Sequence, residues 1–307
     1  MTTELFVHGE VASALRDGHP VVALESTILS HGLPHPRNLD VAHRLEQVVR
    51  AGGAVPATIA VLDGRPVIGL SPAELERVCR PGAGLDKLSL RDLGPAVGLG
   101  RSGATTVAGT SALAARAGIG VFATGGLGGV HLGAAQSWDV SADLGVLAKV
   151  PTVVVCSGVK SVLDIAATLE VLETNSVPVL GYRTDEFPAF YLRSSGHPVA
   201  WRVDDAKEAA AVIAAHRAYA DSGVLLTNPI PEESEMDRAL HDRLLADGLA
   251  KLREDGVHGS DVTPVLLEHF HTASGGVSID ANEALVLNNA KLATEVAVAL
   301  AAREDRA

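Results

Sequence analysis

Short apolar runs rich in β-branched residues alternate along the chain with longer stretches whose apolar residues recur every three or four positions. The runs are VVALE at 21–25, IGVFA at 119–123, PTVVVC at 151–156, VPVLG at 177–181 and GVLLTN at 223–228. They are continuous rather than alternating, as strands covered on both faces of a parallel sheet must be. Between them, Pro36 opens a segment that puts Leu39, Ala42, Leu45, Val48 and Val49 on one helical face and ends at Gly52 and Gly53. Ser71-Pro72-Ala73-Glu74 combines a capping hydroxyl, a proline at the first helical position and a glutamate that can reach back to the cap. Further helices are predicted near 105–117, 161–174, 205–221, 233–254 and 283–302. Asp63-Gly64 lies between the apolar runs TIAVL and RPVIGL and tolerates the positive φ angles of a two-residue hairpin. The pattern predicts an α/β fold with a mostly parallel central sheet and a short antiparallel hairpin. With no linker, repeat or low-complexity run, residues 1–307 read as one domain.

Composition narrows the function. A net charge of −12 repels a polyanion, and 3% aromatic residues leave few rings for base stacking, so a nucleic-acid polymer is not an expected partner. Cys79 and Cys156 are the only cysteines and form no CxxC pattern. The start, MTTELFVHGE, lacks a basic stretch followed by an apolar core. The most apolar long segment, 283–302, is interrupted by Asn288, Asn289, Lys291 and Glu295, which a membrane span tolerates only at a cost. A soluble, cytoplasmic protein without a membrane partner is expected.

In open α/β sheets ligands bind beyond the carboxyl ends of the strands. That rule selects Glu25 with Ser26 and Thr27, Thr124 with the glycines that follow, Ser157 to Ser161 around Lys160, and Asn228. Glu25 follows the apolar run VVAL, where burial raises a carboxyl pKa and suits it to proton transfer; capping of nearby amides is an equal alternative from position alone. Lys160 stands four residues beyond a buried strand and is expected to open a helix, where burial and the helix dipole favour a neutral, nucleophilic amine. A phosphate clamp is the competing role. A nucleotide-binding P-loop is excluded, because Val154 occupies the place of its first glycine. Gly98 to Gly103 fits GxGxxG but follows no clear strand, and GATTVAGT after it opens a helix whose amides suit a phosphate or are simply capped by threonine. The loop from Thr124 to Gly133, with His131, Asp139, Ser141 and Asp143, offers carboxylates and a hydroxyl to a hard divalent ion; one of the two aspartates is also expected to cap the helix from 141. His31, His35, His43, His269 and His271 show no zinc spacing.

Together, ALESTILSHGLPHPRN, GATTVAGT, FATGGLGGVH with WDVSADL, CSGVKS, and NPIPEE with NEALVLNNAKLA resemble the pseudouridine-5′-phosphate glycosidase family over essentially the whole chain. The resemblance implies a three-layer α/β/α homotrimer that cleaves, reversibly, the C–C bond between uracil and ribose 5-phosphate with Mn²⁺, Mg²⁺ or another divalent ion. On matching positions it implies Lys160 as nucleophile, Glu25 as proton donor and Asp139 as metal ligand. Lys87, Val107, Ser141, Ala142 and Asp143 would contact substrate, with Thr124, His131 and Asn282 as further pocket residues. Leu132 departs from the pattern, in which arginine follows the histidine. The alternatives are a Schiff-base lyase or aldolase on another sugar phosphate and a non-catalytic sugar-phosphate-binding accessory protein.

Overall fold

The computed structural model describes residues 5–257 and 262–304. The first four residues, part of the start read above for a leader, lie outside them. Among the described residues thirteen strands form: β1 (Phe6–Val7), β2 (Val21–Leu24), β3 (Val55–Leu62), β4 (Arg65–Ile68), β5 (Asp86–Leu88), β6 (Gly103–Thr105), β7 (Val121–Ala123), β8 (Val130–His131), β9 (Val153–Cys156), β10 (Leu163–Asp164), β11 (Val179–Tyr182), β12 (Trp201–Val203) and β13 (Val224–Thr227). The helices are α1 (Gly9–Arg16), α2 (Arg37–Ala51), α3 (Pro72–Cys79), α4 (Leu90–Gly98), α5 (Val107–Ala117), α6 (Ala134–Ser137), α7 (Ala142–Leu147), α8 (Ile165–Thr174), α9 (Ala206–Arg217), α10 (Arg238–Glu254), α11 (Val262–Ala273) and α12 (Val277–Glu304).

The main sheet runs β1-β4-β3-β2-β7-β9-β13-β11-β12, with β6 on β3 and β5 on β6. From β3 to β12 every neighbouring pair is parallel. β3 and β4 form the expected antiparallel hairpin, and Asp63 (φ 50°) and Gly64 (φ 73°) both adopt the left-handed angles its turn requires. All five predicted apolar runs are strands in this sheet. The chain leaves β2 through α2 for β3 on one side and arrives at β7, on the other side of β2, through α5. Right-handed crossovers in opposite directions put α2 and α5 on opposite faces, giving the three-layer α/β/α arrangement. They also make the crevice between the carboxyl ends of β2 and β7 the switch point at which such sheets bind ligands.

Local rules account for the helix ends. Ser71 and Glu74 form the predicted capping box on α3. Thr106 caps α5, and Gly118, with φ 86°, closes it. The sequence pattern did not single out α1, α4 or α11; in α4, Pro95 and two glycines mask the helical period. The longest helix, α12, lies along β2, β7 and β9 beside α2 and α9. By length and composition its stretch Val277–Arg303 is apolar enough to cross a membrane. Here those apolar residues, among them Leu285, Ala290, Ala293 and Val296, are buried in the protein core. Arg37 of α2 donates to Glu283 of α12 at 3.0 Å, fixing the two helices against each other.

Candidate active site

Glu25 follows β2 directly, and its carboxyl is buried. Burial raises its pKa above the ordinary carboxylate value; opposing this, Lys160, a hydrogen bond from the Thr124 hydroxyl and, more weakly, Lys87 favour the charged form, while Asp143 adds to the rise. Thr124 follows β7, so the donor and the acceptor of that hydrogen bond stand at the two lips of the switch-point crevice. Lys87, on β5, and Lys160, after β9, both act electrostatically on Glu25 and on His131. Glu25 and His131 therefore both lie within electrostatic reach of the two lysines.

Lys160 does not open a helix. After β9 the chain makes isolated bridges at Gly158 and Val159, then turns into β10, and α8 begins only at Ile165 with Asp164 as its cap. The predicted helix-dipole effect on the amine is therefore corrected: the lysine sits on irregular backbone, held by its N–H on the Leu127 carbonyl at 3.3 Å. Gly158 supplies the left-handed φ of 83° that this path needs.

The glycine loop is organised by Asp143. One carboxylate oxygen accepts the Ala108 N–H at the start of α5 and the other accepts the Gly128 N–H, both at 2.9 Å. The backbone approaches so closely that a Cβ on Gly128 would lie 2.7 Å from the Asp143 carboxylate. Capping of the helix at 141 is also corrected: Ser141, not an aspartate, caps α7 by accepting the Asp143 N–H at 3.2 Å. Ala142 begins that helix, and Val107, buried, begins α5.

Asp139 is half-buried, with the His131 ring 3.8 Å from its carboxylate. Burial, reinforced by Lys87 and Lys160, lowers the His131 pKa against the opposing pull of Asp139. Among the described residues no group of three or more His, Cys, Asp or Glu forms a metal cage. A single carboxylate facing a histidine fits only a hard ion that keeps most of its waters and shares the substrate's oxygens.

Asn282 and Asn289 project from α12, seven residues and so about two turns apart. Asn282 is buried with its Oδ1 unpartnered, close to Gly125. Asn289 is a hub: its amide donates to the carbonyl of Thr124 at 2.8 Å and to the Ser157 hydroxyl at 3.1 Å, and its oxygen accepts from Asn228 at 3.1 Å. It thereby ties together the ends of β7, β9 and β13. In the sequence Asn289 reads as an interruption of an apolar segment and as part of NEALVLNNAKLA, with no role of its own; its spacing from Asn282 was the available signal. Of the other histidines, His31 lies near Lys87, and burial lowers its pKa.

The family profile described as indigoidine synthase A like protein matches residues 10–299. The chain is 55% identical to the pseudouridine-5′-phosphate glycosidase of Salinispora tropica over 99% of this chain and 94% of that one. It is 54% identical to that of Streptomyces griseus, over 97% and 93%. Its fold is similar to the crystal structure of the prealnumycin C-glycosynthase AlnA in complex with ribulose 5-phosphate, with a TM-score of 0.92 and 41% identity over 100% of both chains. An indigoidine synthase A-like protein from Thermotoga maritima superposes with a TM-score of 0.85 at 37% identity, over 97% of this chain and 96% of that one. With a profile match from residue 10 to residue 299 and relatives above half identity along nearly the full length, the chain belongs to the indigoidine synthase A-like family of pseudouridine-5′-phosphate glycosidases.

Proposed function

We propose that this protein cleaves the C–C glycosidic bond of pseudouridine 5′-phosphate, reversibly, to uracil and ribose 5-phosphate. The observation that carries the reading is the buried Glu25 carboxyl, in hydrogen bond with Thr124 and within electrostatic reach of both Lys160 and Lys87 at the switch-point crevice. A carbon leaving group has no lone pair to protonate, so a paired-carboxylate mechanism of the usual glycosidase kind does not suffice. A lysine nucleophile supplies the alternative.

The Lys160 amine bonds to C1′ as the C1′–O4′ bond breaks, and the proton shed by the amine ends on O4′. Glu25, whose pKa burial raises, gives a proton to C5 of uracil. The nitrogen lone pair then forms a C=N bond as the C1′–C5 electron pair returns to the uracil ring. Water adds to the iminium and releases ribose 5-phosphate, and the proton left on the lysine nitrogen returns to the Glu25 carboxylate, restoring both groups. The unpartnered Asn282 Oδ1 is an acceptor for a uracil N–H, and Lys87 balances phosphate charge. A divalent ion, Mn²⁺ in this reading, would be held by Asp139 with His131 beside it and would offset negative charge on the phosphorylated substrate. Ser141, Ala142 and Val107 stand at helix starts around the same loop and serve as substrate contacts. A homotrimer in the cytoplasm completes the reading. The ribulose 5-phosphate bound to the related C-glycosynthase supports a pentose phosphate as ligand and C–C joining as the reverse direction.

Incubation with pseudouridine 5′-phosphate and Mn²⁺, with and without borohydride, tests this. Uracil release and a ribose-phosphate adduct on Lys160 are expected; full activity in Lys160→Ala would sink the mechanism.

A further inference from the structure

Next to Lys160, a second set of side chains lies outside the chemistry described so far. His241, on α10, is buried, and its Nε2 lies 3.0 Å from the Ser161 hydroxyl while its Nδ1 lies 3.0 Å from the Asp242 carboxylate. An ionised carboxylate can only accept, so Nδ1 carries the hydrogen toward Asp242, which leaves Nε2 to make the hydrogen bond with the Ser161 hydroxyl. The imidazole is also held by packing: the Phe270 ring of α11 lies 5.7 Å from it, and Tyr191 stacks on Phe270 at 5.6 Å. Lys160 and Ser161 line one narrow pocket with Tyr191 and Phe270.

We propose that His241 is a positioning residue for Lys160, anchoring the Lys160–Ser161 turn to α10 through the Ser161 hydroxyl. The inference rests on Lys160 being the nucleophile. Its physical basis is the backbone around the lysine. Beyond the bridge of Val159 to Leu127, the turn is held by the Lys160 N–H at 3.3 Å and by the Leu163 N–H on the Lys160 carbonyl at 3.0 Å. A nucleophile misplaced by about 1 Å loses on the order of a hundredfold in rate. The Ser161–His241 bond is a side-chain tie from this turn to a separate helix, and the Asp242 carboxylate orients the ring that makes it.

The test compares His241→Leu, His241→Gln, Ser161→Ala and the double variant Ser161→Ala/His241→Leu. Each is assayed for kcat and KM of uracil release and for the rate at which borohydride traps the Lys160 adduct. Loss of the bond is expected to lower kcat and the trapping rate about tenfold or more in His241→Leu and in Ser161→Ala, with KM within about twofold. The double variant is expected to be no slower than either single one, and His241→Gln, which can still bond the hydroxyl, to recover most of the rate. Ser161→Ala removes a single oxygen and reads the bond even where the leucine variant does not fold. Trapping by Ser161→Ala at the wild-type rate, or a glutamine variant as slow as the leucine one, overturns the proposal while leaving the nucleophile in place. Wild-type protein that releases uracil with no trappable adduct overturns the nucleophile assignment and this proposal with it.

Discussion

The side-chain amide of Asn289 donates to the carbonyl oxygen of Thr124 at 2.8 Å. Through that bond α12 holds the residue whose hydroxyl donates to Glu25, so a core helix and a candidate acid are linked by one intervening residue. Asn289 also meets Ser157, three residues before Lys160, and Asn228. Every group in this hub is buried, where an unmade hydrogen bond is expensive.

Replacing Asn289 by leucine strands several of these polar groups. The expected cost is about 2–4 kcal/mol, since each buried orphan costs about 1–3 kcal/mol. Urea unfolding measures it, and uracil-release kinetics on the remaining folded protein should show a lowered kcat.

Glu25 makes stability depend on pH with a known sign. Its pKa is raised on folding by burial, so between the ordinary carboxylate value and the raised one the folded state binds more protons than the unfolded state. Stability therefore falls as pH rises through that window. Glu25→Gln removes the titration, and its melting temperature is expected to decline less than that of the wild type over the same window in a pH series.

Asp143 adds to the rise of the Glu25 pKa and holds two backbone amides. In Asp143→Asn one oxygen remains to accept and an amide NH₂ faces a backbone N–H, a loss of about 1–3 kcal/mol. Removal of the charge lowers the Glu25 pKa, so the alkaline limb of the kcat profile, which reports loss of the donor proton, is expected to move to lower pH. A limb that stays in place would separate Glu25 from that proton transfer.

In the proposed reading Asp139, with the His131 ring 3.8 Å from its carboxylate, would hold the divalent ion. Chelation is expected to abolish uracil release and Mn²⁺ to restore it. Asp139→Ala should raise the Mn²⁺ concentration for half-maximal activity at least about tenfold, in the range seen when outer supports of metal sites are removed. An unchanged Mn²⁺ dependence would move the ion elsewhere.

Cys79 and Cys156 are buried, and burial pushes both thiols up to about 12. A thiol needs its thiolate to react. Neither is expected to titrate with a disulfide reagent in the native protein, and both should do so in denaturant.

The sequence by itself determined the five buried strands of the parallel sheet, the β3–β4 hairpin and most helices, because a strand buried on both faces must be apolar throughout and a capping box needs its serine and glutamate in place: the β2, β7, β9, β11 and β13 runs and the Ser71 cap all follow. It also marked Glu25, Thr124, Lys160 and Asn228, since strand ends are where an α/β sheet exposes chemistry. Tertiary structure alone decided what those residues meet. That Asp143 closes the glycine loop onto α5, and that Asn289 joins three strand ends, depends on contacts between residues far apart in the chain, which no local period encodes. The same holds for Lys160. Periodicity extends the α8 helix back to Ser161, but the pairing of β10 with β8 claims Leu163 and Asp164 first, and a strand pair between distant parts of the chain displaces a helical turn whose local propensity is worth only a few tenths of a kcal/mol per residue.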